Sequence, residues 1–340
     1  MLTTISHHAM AAEFSVLLAE SDAHLVEAAF EALELLDRIE ADLTVYREDS
    51  EISQINAVAS ERPVSVSEST YRLIQRSIAW SEKTAGAFDI TAGPLVRVWG
   101  FTERRGRKPT AAEVQAAVDR VGYTAVRLDD EHRSVAFDRP GMEINLGAIG
   151  KGFALDELAK TLTARGLQNF LIHGGGSSVI ARGDQVADGR QVADSGQVAD
   201  SGKVADSGKG WAVGISHPTK PKQRLAGIRL RDEALSTSGS GKQFFHHRGR
   251  RYGHVIDPRS GYPAGDLLSL TAVADNATDA EACSTAFFVC GIDAIRAAAE
   301  SDPDLPRMIG VRSENRQDSV RVLPFAEFEW VDPPTDDPSH

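Results

Sequence analysis

Apolar residues near the start of the chain recur at helical spacing. One series advances in alternating steps of four and three: Leu25, Ala29, Ala32, Leu36, Ile39 and Leu43. This spacing predicts one apolar face of a long amphipathic helix. Further helices are predicted over 70–86, over 110–122 with Thr110 as a cap, from the glycines near 150 to about Arg165, and as a pair over roughly 277–300.

Short runs rich in β-branched residues predict strands between these helices. The first is "AAEFSVLLA" at 11–19, and "AVRLDD" and "SVAFD" around a turn predict a hairpin. "NFLIHGGGSSVIARG" predicts a strand, a glycine turn and a second strand, and further strands follow between 211 and 274. Helices, then strands, then helices indicate an α+β fold rather than regular βαβ alternation.

A hexapeptide repeat interrupts the second half of the chain. Residues 185–208 read QVADGR, QVADSG, QVADSG and KVADSG. Such a repeat permits a solenoid, but one valine per unit buries little, which favours a flexible or ribbon-like insertion between two strands. We therefore predict one domain over 1–323 with the insertion at 185–208, followed by a frayed tail over 324–340.

Composition narrows the class of partner and the compartment. The 340 residues carry a net charge of −12, which argues against general binding of nucleic acids or anionic membranes. No apolar run is long enough to span a membrane, and no signal peptide is visible at the start. The two cysteines, Cys283 and Cys290, are predicted to be small core residues. We expect a cytoplasmic protein, although a trimmed exported form would look the same.

A glycine-rich turn with a lysine, "NLGAIGKGF", stands where a strand meets a helix. It is not a Walker A loop, because the spacing of its glycines is too short and no Ser or Thr follows Lys151. Glycines at a helix start can cradle a phosphate, but they also allow close packing of a helix on its neighbours. The cluster "HGGGSS" at 173–178 is likewise compatible with a ligand or with a tight hairpin turn.

Two further segments carry residue types suited to catalysis. His254 lies within the predicted strand "RYGHVID" and could serve as a general base or as a hydrogen-bonded structural residue. Glu281 and Thr285 lie four apart in a predicted helix and therefore share a face. Their oxygens are the hard ligands that magnesium prefers, although such a threonine can instead bond its own backbone.

Six ordered motifs resemble those of the ApbE family, the FAD:protein FMN transferases. They are "VYREDSEISQIN" at 45–56, "FDITAGPLVRVWGF" at 88–101, "NLGAIGKGFALD" at 145–156, "STSGSGKQFF" at 236–245, "HVIDPRSGYP" at 254–263 and "AEACSTAFFVCG" at 280–291. The resemblance covers roughly Met10 to Leu323. It implies an ApbE-like, T-fold-related single domain of two lobes, with FAD in the cleft between them.

The resemblance also implies roles for particular residues. It places Mg²⁺ on the Ala148 carbonyl, the Glu281 carboxylate and the Thr285 hydroxyl, and it makes His254 the base. The FAD pocket would be lined by Met10, Tyr46, Ala87, Phe88, Asp89, Asn145, Lys151 and Ile256. Two positions depart from the family pattern, since Glu281 and Asn145 both stand where the family usually has Asp.

The implied reaction is a phosphoryl transfer. A Thr or Ser hydroxyl of an acceptor flavoprotein attacks the FMN-side phosphorus of FAD, and AMP leaves. Two alternatives remain open at this point: an FAD pyrophosphatase, in which water replaces the acceptor and yields FMN and AMP, and an FAD-binding protein without catalytic activity. The departures at Glu281 and Asn145 favour the last of these.

Overall fold

The strands and helices were defined in a computed structural model that describes residues 2–103, 105–185, 210–220, 222–241, 244–314 and 319–334. The strands are β1 (Thr3–Ala9), β2 (Ala12–Leu18), β3 (Val64–Ser65), β4 (Val126–Asp129), β5 (Ser134–Phe137), β6 (Phe170–Gly174), β7 (Ser178–Arg182), β8 (Trp211–Ser216), β9 (Arg224–Leu230), β10 (Ala234–Gly239), β11 (Phe244–His247), β12 (Arg250–Gly253), β13 (Ile256–Asp257), β14 (Tyr262–Pro263), β15 (Ser269–Ala274), β16 (Arg307–Ser313), β17 (Val320–Pro324) and β18 (Trp330–Asp332).

The helices alternate with groups of these strands. They are α1 (Val26–Leu33), α2 (Leu35–Leu43), α3 (Glu51–Val58), α4 (Glu68–Lys83), α5 (Gly93–Val98), α6 (Ala111–Val118), α7 (Gly150–Ala164), α8 (Ala277–Cys290) and α9 (Ile292–Ser301). No helix among the described ranges is long and apolar enough to cross a membrane. The described helices and strands together confirm the predicted α+β class.

An eight-stranded antiparallel sheet forms the middle layer of the fold. Its strand order is β1-β2-β6-β7-β10-β15-β16-β17. Helices α7 and α8 pack on one face of the sheet. The smaller sheet β18-β9-β8 covers the other face and contributes Trp211 and Ile228 to a second apolar cluster. The central sheet is therefore buried on both faces.

Alternation along the central strands sends side chains into two separate cores. In β2, Phe14 and Val16 join the cluster on the helix side, whereas Leu17 joins the cluster beneath the small sheet. Successive strand residues point to opposite faces, so a strand buried on both sides needs apolar residues at consecutive positions. This is why "FSVLL" is an almost continuous apolar run rather than an alternating one.

The predicted helices are confirmed, with one interruption. The long first helix runs as α1 and α2, separated at Glu34, and Ala29, Leu36 and Ile39 are buried on its predicted face. Thr110 caps α6 and forms a capping box with Glu113. Strand β1, which the sequence pattern did not predict, pairs with β2 through a turn at Met10.

Three other predictions concern the hexapeptide repeat, the segment after residue 324 and the two cysteines. The hexapeptide repeat lies outside the described residues except for Gln185. The segment predicted to be a tail from 324 onward contains β18, which pairs with β9 and so adds an ordered strand there. Both cysteines are free thiols, and Cys283 is fully buried in the core, as predicted.

Candidate active site

One large cavity is lined by every residue that the family resemblance assigns to the site. Its volume is about 880 Å³. Its lining includes all twelve of these residues: Met10, Tyr46, Ala87, Phe88, Asp89, Asn145, Ala148, Lys151, His254, Ile256, Glu281 and Thr285. They come from the β1–β2 turn, the loops before α3 and α5, the loop before α7 with the first turn of that helix, His254 and the start of β13, and α8. The fold therefore brings together motifs that lie far apart in the chain.

The glycine-rich turn before α7 serves two purposes at different glycines. Gly147 lines the cavity, and its N–H donates to the Asn145 side-chain oxygen at 2.9 Å, which shapes the turn. Gly152 faces the start of α8. A β-carbon on it would lie 2.6 Å from the carbonyl carbon of Ala277. The ligand and packing interpretations of this motif thus apply to different residues within it.

The Glu281 carboxylate is buried and is held by groups at the start of α7. Glu281 is only 4% exposed. One of its oxygens contacts the Lys151 ammonium, and the other accepts a 2.6 Å hydrogen bond from the Gly152 N–H. In a regular helix that N–H would bond the carbonyl four residues earlier, which is that of Ala148. Within the described ranges no hydrogen bond reaches the Ala148 carbonyl, so this oxygen remains available to a ligand.

Thr285 stands one turn beyond Glu281 and does not bond its own helix backbone. Its hydroxyl lies 2.9 Å from the Ser238 hydroxyl of β10, which in turn lies 2.9 Å from the Ser284 hydroxyl. The bond back to the helix backbone is made by Ser284, which donates to the Glu281 carbonyl at 3.0 Å. The threonine hydroxyl therefore stays at the cavity wall.

The oxygens of Ala148, Glu281 and Thr285 fit a magnesium ion by their chemistry. A carbonyl, a carboxylate and a hydroxyl are all hard donors, and magnesium commonly adds phosphate oxygens and water to a few protein ligands. The described part of the chain holds no group of three or more His, Cys, Asp or Glu residues suited to a metal. An ion here would thus depend on substrate oxygens to complete its coordination.

His254 stands at the wall of the cavity, between two short strand segments. The sequence predicted one strand through this position, whereas β12 ends at Gly253 and β13 begins at Ile256. The imidazole is half-buried and meets the ring of Phe101 edge to face at 6.4 Å. This contact fixes one side of the ring and leaves the histidine lining the cavity.

Asp89 organises its own loop. Its side chain accepts hydrogen bonds from the Thr91 N–H at 2.8 Å, the Thr91 hydroxyl at 2.7 Å and the Tyr123 N–H at 2.9 Å. Burial raises the pKa of Asp89, and these hydrogen bonds lower it in part. The residue borders the cavity, but its oxygens hold the backbone that places Ala87 and Phe88.

Two residues of the site region were not identified from the sequence. Asp156 of α7 accepts hydrogen bonds from the Ala277 N–H at 2.8 Å and the Thr278 N–H at 2.9 Å, and so fixes the start of α8. His173 of β6 lines the cavity with a buried Nδ1 that has no hydrogen-bond partner within the described ranges. Its one signal in the sequence is its place at the head of "HGGGSS".

Comparison with known proteins places this architecture in a defined group. The model of the ApbE family matches residues 3–309. An FAD:protein FMN transferase of Treponema pallidum is 34% identical over 270 residues, which cover 77% of this chain and 71% of that protein. A protein of the same description from Klebsiella pneumoniae is 31% identical over 274 residues, which cover 80% of this chain and 78% of that protein.

Solved structures share the fold. The ApbE protein of Thermotoga maritima superposes with a TM-score of 0.77 at 29% identity, covering 92% of this chain and 94% of that one. A mutant of the flavin transferase ApbE from Vibrio cholerae gives a TM-score of 0.77 at 25% identity, covering 95% and 97% of the two chains. The match therefore extends over nearly the whole of both proteins.

Proposed function

The chain belongs to the ApbE family, and from this premise we infer that it is an FAD:protein FMN transferase. Its substrates are FAD and an acceptor flavoprotein. The observation that carries the inference is a match across nearly the entire chain to proteins of that description. The gathering of the twelve candidate site residues around one cavity supports it.

The transfer exchanges the phosphoanhydride linkage within FAD for a phosphoester linkage to the acceptor. A Thr or Ser hydroxyl of the acceptor attacks the FMN-side phosphorus of FAD, and a new P–O bond forms to the protein. The bond from that phosphorus to the bridging oxygen breaks, and AMP leaves with this oxygen. The proton of the attacking hydroxyl must be removed, which requires a base near the diphosphate.

His254 is the residue that we assign to that base. An imidazole can accept a proton near neutral pH, and this one is half-buried on the cavity wall. Its edge-to-face contact with Phe101 holds the ring in place. A positioned base draws the proton away as the oxygen attacks, without a large rearrangement of the site.

The cavity offers separate regions for the rings and the phosphates of FAD. Tyr46 is 73% exposed and borders the cavity, so its ring is free to stack on a flat ligand ring. Gly147 and Lys151 line the region at the start of α7, where the positive end of the helix dipole and the Lys151 ammonium, which also contacts Glu281, favour an anion. We therefore place the diphosphate near the start of α7.

The Ala148 carbonyl, Glu281 and Thr285 would hold the magnesium ion. When bound, such an ion neutralises charge on a diphosphate and polarises its P–O bonds. The chain's own contribution is to keep the Ala148 carbonyl free, because the Gly152 N–H bonds Glu281 instead. Lys151 meanwhile balances the buried carboxylate.

The function is tested by incubating the full chain with FAD and Mg²⁺ and separating the products by chromatography. A candidate acceptor domain is then added, and flavin fluorescence is measured in a denaturing gel. Transfer predicts AMP release together with a fluorescent acceptor band. Free FMN and AMP with no labelled acceptor would indicate hydrolysis, and intact FAD would indicate a binding protein without catalysis.

Replacing His254 with Ala is expected to slow transfer by roughly a hundred-fold or more, the usual contribution of a positioned base. The affinity for FAD should change little, because the rest of the cavity remains. Rates are measured by AMP release and affinity by quenching of flavin fluorescence. Unchanged turnover would remove His254 from the role of base.

Replacing Thr285 with Val is expected to raise the magnesium concentration needed for half-maximal effect by about ten-fold or more, since one oxygen donor is lost. The measurement is the Mg²⁺-dependent rise in melting temperature with FAD bound, alongside turnover. Thr163→Val, at an exposed position of α7, is the matched control. Identical titrations for the Thr285 variant and the wild type would contradict the proposed site.

A further inference from the structure

A basic hairpin stands directly before His254 in a protein that is acidic as a whole. Strands β11 and β12 form a two-stranded ribbon with the sequence "FFHHRGRRYG". Residues 234–256 contain no Asp or Glu, although the chain has 49 acidic residues against 37 basic ones. This ribbon is therefore a local reversal of the protein's charge.

A second basic segment lies against this hairpin. The ring of Phe245 packs on Gly106, which belongs to the arginine-rich loop before α6. The Lys108 ammonium lies 6.0 Å from the centre of the Tyr252 ring, and the Arg250 guanidinium lies 5.4 Å from the same ring. Two cationic segments that are far apart in the chain thus meet on one aromatic residue.

Four of these cations, which we call the basic patch, are exposed: Arg105, Lys108, Arg248 and Arg250. Within the described ranges none of the four has a carboxylate partner, whereas the neighbouring Arg107 pairs with Glu113 at 2.9 Å. An exposed cluster of unpaired like charges is favourable only when an anionic partner or counter-ions neutralise it. The patch is thus available to a negatively charged partner.

The outer face of the hairpin adds an aromatic contact. Phe244 is 43% exposed, with the Arg251 guanidinium 3.9 Å from its ring centre and His246 edge-on at 5.4 Å. The other side of the ribbon packs Phe245 and Tyr252 on Trp99 and Phe101, so the ribbon is anchored to the cavity wall. Exposed aromatic and arginine side chains are typical of protein recognition surfaces.

We propose that the basic patch docks an acidic segment of the acceptor protein. This rests on the proposed function, in which a polypeptide must bring a Thr or Ser hydroxyl to His254. Arg250 of the patch lies four positions before His254, about 13 Å of extended chain. The acidic residues are therefore expected about four or more positions from the modified hydroxyl.

An acidic polypeptide fits this surface better than a nucleic acid does. The chain as a whole carries −12 and repels a long polyanion, whereas the patch matches only a few negative charges. Opposite charges across such a surface mainly raise the rate of encounter and select the partner. Binding should accordingly weaken as salt is added.

The turn of the hairpin supplies a variant that separates binding from folding. Arg248 has φ 50° and Gly249 has φ 78°, so both turn residues are left-handed. Asn tolerates this conformation better than Arg does. Arg248→Asn should thus preserve or improve stability while removing a cation, and Arg250→Gln removes a second one with little change in size.

The test measures binding of short fluorescent peptides by anisotropy at low salt. One peptide carries a single Thr with aspartates several positions away from it. The control peptide has Asn in place of each Asp. The wild type should bind the Asp peptide about ten-fold more tightly, and Arg248→Asn/Arg250→Gln should lose most of this preference. The control Arg38→Gln/Arg62→Gln, which changes exposed arginines that do not line the cavity, should keep it.

Three results would overturn the docking proposal: equal binding of the two peptides, an unchanged preference in the hairpin variant, or competition by an oligonucleotide or anionic vesicles as strong as that by the Asp peptide. AMP release from FAD is followed in the same preparations. Turnover without peptide preference rejects only the docking surface. Peptide preference without turnover rejects the transferase function and leaves the surface intact.

Discussion

At the scale of single residues, Glu281 and Lys151 show how a buried carboxylate is satisfied by its neighbours. The carboxylate is almost fully buried, and a buried charge without a partner would cost several kcal/mol. The Lys151 ammonium and the Gly152 N–H satisfy it from α7. Glu281 therefore links two helices through its two carboxylate oxygens.

His173 is a second residue whose environment sets its chemistry. Burial lowers the pKa of His173, and Glu13 raises it in part, so the imidazole is neutral at pH 7. Its buried Nδ1 has no partner within the described ranges, and the residue lines the cavity.

A lowered histidine pKa makes stability depend on pH. The unfolded chain binds a proton near pH 6.5, whereas the folded chain does so only at a lower pH. Stability from His173 is therefore present above about pH 6.5 and is lost as the pH falls through the folded pKa. We expect His173→Gln to show a smaller drop in melting temperature from pH 7 to pH 5 than the wild type.

The control for this comparison is His8→Gln, at an exposed position of β1. This variant should follow the wild-type pH profile. Equal pH profiles for His173→Gln and the wild type would show that the imidazole is solvated in the folded protein.

At the scale of elements, the contact between α7 and α8 builds the site. The backbone of α7 at Gly152 lies against the start of α8, and Asp156 of α7 accepts from the first N–H groups of α8. Helix starts carry unsatisfied N–H groups, so this carboxylate stabilises α8. The same contact places Ala148 and Glu281 on the cavity.

Replacing Gly152 with Ala is expected to separate these helices. The added β-carbon would meet the Ala277 backbone at 2.6 Å, and backbone cannot rotate away as a side chain can. We expect a loss of about 1–3 kcal/mol in the free energy of unfolding, with weaker FAD binding. Urea unfolding and flavin fluorescence measure the two effects.

Gly265→Ala is the matched control for Gly152→Ala, because no atom lies within 4 Å of a β-carbon placed there. This variant should unfold like the wild type. If Gly152→Ala also kept the wild-type stability and FAD affinity, close helix contact would not be what positions the site.

At the scale of the whole molecule, the described residues on either side of the repeat are joined by hydrogen bonds. The described ends of the insertion meet, since the Gln185 N–H donates to the Gly210 carbonyl at 3.2 Å and the Gly210 N–H donates to Asp184 at 2.7 Å. A segment whose ends already touch can be shortened without moving the strands on either side.

Replacing residues 186–209 with a short Gly-Ser turn is therefore expected to keep the free energy of unfolding within about 1 kcal/mol. FAD affinity should also be preserved, because Asp184, Gln185 and Gly210, which flank the replaced segment, do not line the cavity. Thermal and urea unfolding measure the first effect, and a variant with the repeat order scrambled is the control. A large loss of stability would show that the repeat belongs to the core.

Helices and strands were largely predictable because their signals are local. The cap at Thr110 and the apolar face of α1 and α2 depend on residues within a few positions of one another. Strand β1 was missed because alternate side chains are exposed and its apolar signal is weak. The order of the eight central strands depends on pairings between distant segments, which local periodicity does not encode.

The sequence by itself determined which residues are the candidates for the chemistry, because the ordered motifs contain them and resemble one family. Only the tertiary structure decided how those residues are engaged. It showed that Lys151 balances Glu281 across 130 residues, that Asp156 caps α8, and that Gly152 serves packing rather than a phosphate. Hydrogen bonds act over about 3 Å, so they exist only once packing has brought distant segments together.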